Sequence, residues 1–488
     1  MSEEARATVS GGLPATRPNT RVHHFCTESE FTRHYHRYHN HQLVYVSTPG
    51  SAENKCVDIL ERECLRSSSL LFFVSSFFLA GTSAFYDEAA SILDNQTWDY
   101  LQDLGDVSDA TDGSLQRTFL SVASRLAMNK VELWMRRGGM DTWVDEVGNV
   151  HGRLEGAIPN QKVLLIGSHI DTVKDAGKFD GTLGVLVGVS SVKAVILETV
   201  SLGQKIPSPV QVVAFSDEEG IRFSSTFLGS RAVVGLLPES AHQAVDENGI
   251  SLLQALRQGG FKGSRPSVRT ANLSDTISSY VEVHIEQGPV LEARGESVAP
   301  VTAISGQTRL SISVHGTQGH AGTVPMAARK DAVAVAAEII HLIESLCKTR
   351  AQNSNEDTML VCTVGEIRVW PGASNVISSN TNFTVDIRSR SDREREGVVK
   401  SISGVAKRAC FKRDMVCRVD LKHEAPAANC DAQLIIALNE AILRARGDDE
   451  TGFDSGQVRG DSRNSALVSG AGHDVSPYIQ LVPLECYL

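Results

Sequence analysis

The sequence predicts an α/β fold in which a mixed, mostly parallel sheet is flanked by helices. Short apolar runs at residues 163–166, 212–215 and 280–284 have the length and composition of buried strands. Between the first two runs, residues 183–197 show the apolar periodicity of a helix. With 488 residues and 41% hydrophobic content, the chain is long and apolar enough for two domains with their own cores.

Polar residues follow the first of these strands. His169 and Asp171 stand at its end, and Asp180 follows a short loop before the predicted helix. Ligands of open α/β sheets bind at the carboxyl ends of strands, and His and Asp are suitable ligands for divalent metals. Taken alone, the pattern also fits a structural corner in which Asp180 caps the helix.

The second and third strands end in the same kind of residue. Asp217, Glu218 and Glu219 are adjacent after one strand, and His284 closes the other. Neighbouring carboxylates repel each other, and a nearby cation offsets that repulsion. Because three strand ends deliver these groups to one edge, the set favours a metal site over separate solvated loop charges.

The first stretch of the chain is not predicted to be a domain. Residues 1–66 are polar, are rich in histidine at positions 33–41, and are expected to be a disordered extension; metal binding is the alternative. Residues 67–84 contain an apolar run at 69–80 followed by small residues, which is typical of a signal peptide. A buried helix or strand is the equal alternative. The signal-like segment predicts the endoplasmic reticulum or secretory pathway if it is used, and the cytoplasm otherwise.

The composition of the chain argues against several classes of binding partner and metal ligand. The net charge is −11 and no basic block occurs, which argues against nucleic acid. The apolar run at 69–80 is too short to span a bilayer comfortably, so no stable membrane span is expected. Nine cysteines are scattered without CxxC spacing, which argues against a zinc finger or a disulfide framework. Metal ligands are therefore expected to be His and carboxylate.

The segments before and after the strand-end motifs predict the remaining secondary structure and the domain organisation. Residues 86–137 are expected to be helical, and 145–152 to form a hairpin turn. Further along, the order β-α-β-β-α-β predicts an inserted ferredoxin-like α+β domain. Its predicted elements are strand 309–315, helix 327–347, strands 359–369 and 382–388, helix 393–409 and strand 415–423. The catalytic domain is predicted to consist of two segments, 85–300 and 425–488, with the insertion at 301–424 between them.

The motifs HID, FDG, DEEG, HIEQGPVLE, GHAGTVPM, PGASNVIS and SGAGHD occur in this order. The order resembles the amidohydrolase/carbamoylase branch of the dinuclear metallopeptidase-like family, and the stretch around GHAGTVPM is most similar to plant-type allantoate amidohydrolases. The resemblance implies hydrolysis of a linear amide C–N bond in a ureido compound, with allantoate as the first substrate. N-carbamoyl amino acids and ureidoglycolate are the alternatives within this class. A catalytically impaired paralogue that keeps the fold and the dimer contact is the alternative from another class.

The resemblance also implies a set of metal ligands. Asp180 bridges two divalent ions, His169 and His284 complete one site, and Glu219 serves the other. Manganese is favoured, with zinc and cobalt as alternatives. Glu218 is then the general base, and Asp171 orients His169.

Substrate contacts are implied in the same way. Gln287, Asn375, Arg388 and His473 match substrate-binding positions. His320 matches a catalytic histidine that reaches the active site of the neighbouring subunit and stabilises an oxyanion. The small inserted domain is accordingly expected to form the contact of a homodimer.

One family feature has no match in the sequence. The family takes a further metal ligand from a Gly-Gly-x-Ser-His segment beyond SGAGHD, and no histidine follows His473. The resemblance therefore predicts that the catalytic-domain segment at 425–488 is truncated. A weak second metal site and little activity are the expected consequences.

Overall fold

The computed structural model describes residues 89, 92–353, 359–446 and 466–474. The expected extension at 1–66, the signal-like segment at 67–84 and residues 475–488 lie outside the described residues. Disorder, localisation and the effect of the C-terminal segment therefore stay predictions.

The described residues form helices and strands in the following chain order. The helices are α1 Thr97–Gly105, α2 Val122–Arg137, α3 Thr182–Ser201, α4 Leu228–Val233, α5 Leu252–Gln258, α6 Arg265–Arg269, α7 Val290–Arg294, α8 Ala332–Asn353, α9 Asp392–Phe411 and α10 Ala432–Arg446. The strands are β1 Asp141–Val144, β2 Val150–Leu154, β3 Val163–His169, β4 Val210–Phe215, β5 Ile277–Val281, β6 Val301–Ile304, β7 Gly306–His315, β8 Gly319–His320, β9 Val361–Thr363, β10 Ile367–Trp370, β11 Val376–Ile377, β12 Asn380–Ser389, β13 Val416–Ala425, β14 Ala428–Asn429 and β15 Leu467–Ser469.

The first sheet has the strand order β1-β2-β4-β3-β5. Its mixed character is confirmed, since β3 runs parallel to β4 and β5, whereas β2 is antiparallel to β1 and β4. The prediction that the strands of this sheet are mostly parallel is wrong, because two strand pairs are parallel and two are antiparallel. The β1-β2 hairpin accounts for the difference, and the turn predicted within it is confirmed. Asp145 Oδ1 accepts the backbone N–H groups of Val147 and Asn149 within that turn.

Helices α1, α2 and α3 pack against this sheet around one apolar core. The helix predicted at 183–197 is confirmed as α3, which is apolar nearly all round because it is buried on most sides. By length and mean hydropathy α3 could cross a membrane, but 67% of its most apolar window is buried inside the protein. That burial is what a core helix shows.

A second sheet has the order β10-β12-β7-β13, with β9 also paired to β12, and every pairing is antiparallel. Helices α8 and α9 share an apolar core with this sheet. Two predicted boundaries were wrong. Helix α8 begins at Ala332 rather than 327, because Pro325 and a 3₁₀ turn at Met326–Ala328 precede it. The single strand predicted at 359–369 is divided into β9 and β10, with Gly365 in the gap between them.

Two disulfides join elements of this second sheet and its helices. Cys347 of α8 pairs with Cys362 of β9, and Cys410 of α9 pairs with Cys417 of β13. These two pairs correct the expectation from the cysteine spacing, which argued against a disulfide framework. The pairs are 15 and 7 residues apart, and they meet only because each helix folds back onto the sheet.

A third, small sheet has the order β14-β6-β15. Strand β15 is parallel to β6, and β14 is antiparallel to it. Ile304 of β6 belongs to the same apolar core as Leu165, Phe215 and Tyr280 of the first sheet. This pairing carries the SGAGHD segment, residues 469–474, to the first sheet.

Candidate functional site

Three parallel strands end at one edge of the first sheet. Strands β3, β4 and β5 are paired in parallel, so residues 169–172, 216–219 and 282–287 emerge on the same side. Asp217 and Gln287 adopt φ values of 53° and 55°, in the left-handed region that non-glycine residues seldom occupy. Each such residue stores on the order of 1 kcal/mol of strain, and such strain concentrates at functional sites.

The predicted metal ligands meet at this edge. Ligand atoms of His169, Asp180 and His284 lie within 4.8 Å of one another, and so do those of His169, Glu218 and Glu219. His284 Nε2 is 3.1 Å from Asp180 Oδ1, and His169 Nε2 is 3.9 Å from the same oxygen. The structure therefore brings all four predicted ligands and Glu218 together.

Backbone carbonyls fix both imidazole rings. His169 Nδ1 is 3.0 Å from the carbonyl oxygen of Asp171, and His284 Nδ1 is 2.8 Å from that of Ile285. A carbonyl only accepts, so the assigned tautomer carries its proton on Nδ1. Nε2 of each ring faces Asp180 and is the ring atom left to bind a metal, as in metal-binding histidines.

Asp171 supports two regions of the cluster. Its carbonyl orients His169, whereas its carboxylate is 3.8 Å from the ring nitrogen, which is too far for a hydrogen bond. The carboxylate instead accepts the backbone N–H groups of Glu218, at 3.0 Å, and Glu219, at 3.2 Å. Asp171 thus links the HID motif to the DEEG motif.

The electrostatics of this cluster suit a divalent cation. Burial raises the pKa of Glu218 well above its ordinary value, and the charges on Asp474 and Glu219 add to this against the opposing effect of His169. Burial also raises the pKa of Glu219 to about 7. Asp217 Oδ2 is buried without a hydrogen bond, and Asp180 Oδ1 faces the Nε2 atoms of His169 and His284. Crowded carboxylates with free oxygens and two oriented imidazoles form a donor set that fits such an ion.

Gly181 permits the close approach of Asp180 to His169. Its φ is 63°, and a Cβ at this position would stand 2.5 Å from the His169 ring. Only glycine fits at this point, because any side chain would displace the imidazole.

Arg117 is a buried residue that the sequence did not reveal. Its side chain donates to the carbonyls of Ile170 and Leu104, both at 2.7 Å, and to Thr182 Oγ1 at 3.1 Å. These bonds join the HID loop to the end of α1 and the start of α3. A lone arginine in sequence resembles a surface charge, yet this one is 1% exposed.

Two buried carboxyls were also missed. Glu282 accepts a hydrogen bond from Ser168 Oγ at 2.7 Å, and Asp474 accepts one from Ser230 Oγ at 2.6 Å. Burial raises the pKa of both carboxyls. Glu282 carried a signal in the sequence, because it stands among the apolar residues Tyr280, Val281 and Val283, two residues before His284.

A cleft of about 770 Å³ lies over the cluster. Gln287 lines this cleft and donates Nε2–H to Asp180 Oδ2 at 3.0 Å. Arg388 lines it as well and donates to the carbonyl of Gly470 at 2.7 Å. The ring of His473 packs edge-on against that of His284, with centroids 4.5 Å apart. Three predicted substrate residues are therefore at or beside the cluster.

His320 and Asn375 are placed elsewhere. They lie in the β8-β11 ribbon, where Val376 pairs with His320 and the Ala321 N–H donates to the Asn375 carbonyl at 2.9 Å. Both side chains are exposed, and neither residue lines the cleft of its own chain. The structure brings these two residues to each other and not to the metal-ligand cluster.

Comparisons with known proteins agree with this site. The model of peptidase family M20/M25/M40 matches residues 165–476. Allantoate deiminase 2 of Glycine max is 45% identical over 389 residues, covering 77% of this chain and 78% of the relative. An N-carbamoyl-L-amino-acid amidohydrolase of a Pseudomonas species is 35% identical over 377 residues, covering 77% and 85%. A solved hydantoinase/carbamoylase family amidase from Burkholderia ambifaria has a TM-score of 0.66 and 30% identity, covering 80% and 89%.

The mixed α/β fold, the ligand cluster and these similarities define the class of protein as an amidohydrolase. The chain belongs to peptidase family M20/M25/M40, whose model covers the HID motif, the DEEG motif and the SGAGHD segment.

The first prediction concerns Arg117. Arg117→Met should lower the free energy of unfolding by about 3 kcal/mol, because buried carbonyls lose their donor. The measurement is denaturant unfolding, with Arg125→Met on the exposed side of α2 as the control. The control should change stability by less than about 0.5 kcal/mol. Equal midpoints for the two variants would show that Arg117 does not hold the HID loop.

Proposed function

We propose that this chain hydrolyses a linear amide C–N bond in a ureido compound, with allantoate as the first substrate. The products are then ureidoglycine, ammonia and carbon dioxide. The observation that carries the proposal is the convergence of His169, Asp180, Glu219 and His284 beside the carboxyl of Glu218. Similarity to a named allantoate deiminase at 45% identity favours allantoate, and the N-carbamoyl-amino-acid relative at 35% supports the second candidate.

The proposed cofactor is a pair of divalent ions, manganese first and zinc or cobalt as alternatives. Asp180 would contact both ions, with His169 and His284 holding one and Glu219 the other. When bound, such ions lower the pKa of water and polarise a carbonyl. The orientation of both imidazoles, with Nδ1 on a backbone carbonyl and Nε2 toward Asp180 Oδ1, supports these assignments.

Glu218 is the proposed general base. Its Oε2 lies 3.8 Å from His169 Nε2, so it borders the ligand set, and burial raises the pKa of its carboxyl, which favours proton uptake. It takes the proton of the attacking water and passes it to the leaving nitrogen. Gln287 and Arg388, which line the cleft, orient the substrate, and His473 borders it through its contact with His284.

The second sheet is the proposed dimer contact, in an inserted ferredoxin-like domain. The order β7-α8-β9/β10-β12-α9-β13 supports the β-α-β-β-α-β assignment. Edge strand β10 exposes Ile367 by 54% and Trp370 by 68%. An apolar edge strand of this kind invites pairing with another chain, and a second copy of this chain would cover it. His320 and Asn375 would then reach the cleft of the partner subunit.

The second prediction tests the function and separates the two glutamates. The purified chain loaded with manganese should hydrolyse allantoate at the low rate expected of a weak second metal site, and Glu218→Gln should lower kcat by at least about a further 100-fold while keeping its metal. Glu219→Gln should lose metal as well as activity. Turnover is measured as the rate of ammonia release, and bound metal is measured by elemental analysis. Failure of the wild-type chain on allantoate, ureidoglycolate and N-carbamoyl amino acids would reject the function. Metal loss in Glu218→Gln would show that Glu218 is the metal ligand and Glu219 the general base.

The third prediction concerns the partner subunit. Chains carrying Glu218→Gln and chains carrying His320→Ala should each be inactive, and mixed dimers should regain some of the activity. The reason is that one cleft in each mixed dimer keeps an intact Glu218 and receives an intact His320. Subunit exchange is verified with differently tagged chains. Exchange without recovered activity would place the complete site within one chain.

A further inference from the structure

The chain carries three sequons of the form Asn-x-Ser/Thr, the acceptor motif for an N-linked glycan in proteins of the secretory pathway. They begin at Asn95, Asn272 and Asn382, and none has proline in its middle position. A motif this short also occurs by chance, so the folded structure must distinguish between them. A glycan is bulky, and it needs an acceptor amide that the folded chain leaves exposed at the surface.

Two of these sequons lie in packed secondary structure. Thr97, the hydroxyl residue of the first sequon, is fully buried and donates to Ser190 Oγ at 2.7 Å. Asn382 of the third sequon is half-buried in strand β12, which is paired with β7 on one side and β10 on the other. The fold therefore encloses the hydroxyl of the first sequon and leaves the amide of the third little room for a sugar.

The sequon at Asn272 differs from the other two, because it lies in a turn between α6 and β5 with Asn272 exposed. Asn272 Oδ1 accepts the Ser274 N–H at 3.0 Å, which is the bond of an Asx turn. This bond holds the amide by its oxygen, and within the ranges that the structure describes Nδ2 has no hydrogen-bond partner. The turn thus places the acceptor nitrogen and the hydroxyl residue of the sequon side by side at the surface.

Gly235 leaves space beside the acceptor nitrogen. Its φ is 75°, and a Cβ at this position would stand 2.6 Å from Asn272 Nδ2. The Leu273 N–H donates to the carbonyl of Val233 at 2.7 Å, so the backbone of the turn is fixed to the end of α4. The turn is therefore anchored through its backbone, and no side chain of residue 235 covers the amide.

Two other features of the chain agree with entry into the secretory pathway. The pairs Cys347–Cys362 and Cys410–Cys417 have Cα–Cα distances of 6.2 and 5.8 Å, within the usual range for disulfides. Disulfides form and persist in oxidising compartments such as the lumen of the endoplasmic reticulum. The segment at 67–84, which the sequence predicts to be signal-like, is the corresponding address.

We propose that Asn272 carries an N-linked oligosaccharide, added as the chain enters the endoplasmic reticulum. The donor is an oligosaccharide carried on a lipid pyrophosphate, and a membrane-bound transferase catalyses the step. A bond forms between Nδ2 and the anomeric carbon of the sugar as the bond from that carbon to the pyrophosphate oxygen breaks. The lipid pyrophosphate leaves with the bonding electrons, and the amide nitrogen loses one proton to the transferase.

The proposed modification is separate from the amidohydrolase function. Asn272 does not line the cleft over the metal ligands, and it precedes the amino end of β5, whereas His284 follows the carboxyl end of that strand. A glycan at this turn therefore leaves the ligand cluster accessible.

The test is to express the full chain in human cells and to treat the purified protein with a glycanase in heavy-oxygen water. The glycanase removes an N-linked glycan and converts its asparagine to aspartate, so mass spectrometry identifies the position. Heavy oxygen in that aspartate distinguishes the enzyme reaction from earlier spontaneous deamidation. We expect labelled aspartate at position 272 and a shift of the protein to lower apparent mass. An unmodified Asn272 in the wild-type chain would overturn the proposal.

Variants of the sequon check the same assignment. Asn272→Gln and Ser274→Ala should each abolish labelling at position 272, because the first removes the acceptor and the second removes only the hydroxyl that the motif requires. Ser274→Thr keeps a hydroxyl and should retain the label. Labelling at position 272 that persists in Ser274→Ala would overturn the assignment to this sequon.

Asn95→Gln and Asn382→Gln are the matched controls, since each removes one of the other sequons by the same substitution. Both should retain the label at position 272 and the shift in apparent mass. Loss of the shift in a control, with no label at 272 in the wild type, would place the glycan elsewhere and overturn the proposal. Because the measurement on the wild-type chain needs no turnover, its result stands or falls separately from the proposed hydrolysis of ureido compounds.

Discussion

The crowding of carboxylates at one sheet edge is the constraint on which the site depends. Asp180, Glu218 and Glu219 meet there, and Asp217, Glu282 and Asp474 are buried close by. In water these groups would separate, but parallel strands β3, β4 and β5 hold their segments together. Burial and mutual repulsion raise the pKa values of Glu218 and Glu219. A bound cation relieves this repulsion. The carboxylates that the fold holds together therefore bind metal more tightly than separated carboxylates would.

Buried polar residues outside the cluster keep the segments in place. Arg117 ties the HID loop to α1 and α3. In the β1-β2 hairpin, Asn149 Oδ1 accepts the Ser216 N–H at 3.0 Å, and its Nδ2–H donates to the Gly229 carbonyl at 3.2 Å. The hairpin therefore supports both the DEEG segment and α4. The segments that carry the metal ligands are therefore positioned by buried hydrogen bonds outside the cluster.

Much of this edge was predictable because its polar residues come at the ends of apolar runs that the sequence shows directly. His169, Glu218, Glu219 and His284 each follow such a run, and the periodicity of α3 placed Asp180 beside them. Arg117 was not predictable, because its role arises from tertiary contacts between segments far apart in sequence. The disulfide pairs required the fold-back of α8 and α9 onto the second sheet. His320 and Asn375 are placed away from the cleft, and their proposed role depends on a second chain that one sequence does not position.

The most direct measurement of the central claim is anomalous X-ray scattering from crystals grown with manganese. Two manganese peaks are expected in each chain within bonding distance of the Asp180 carboxylate, a strong one that His169 and His284 also contact and a weaker one that Glu219 also contacts. The same experiment on Asp180→Asn should show weaker peaks, because the shared carboxylate loses its charge. An absence of peaks at Asp180 in the wild-type chain, with manganese bound elsewhere or not at all, would contradict the claim that this carboxylate cluster exists to hold metal.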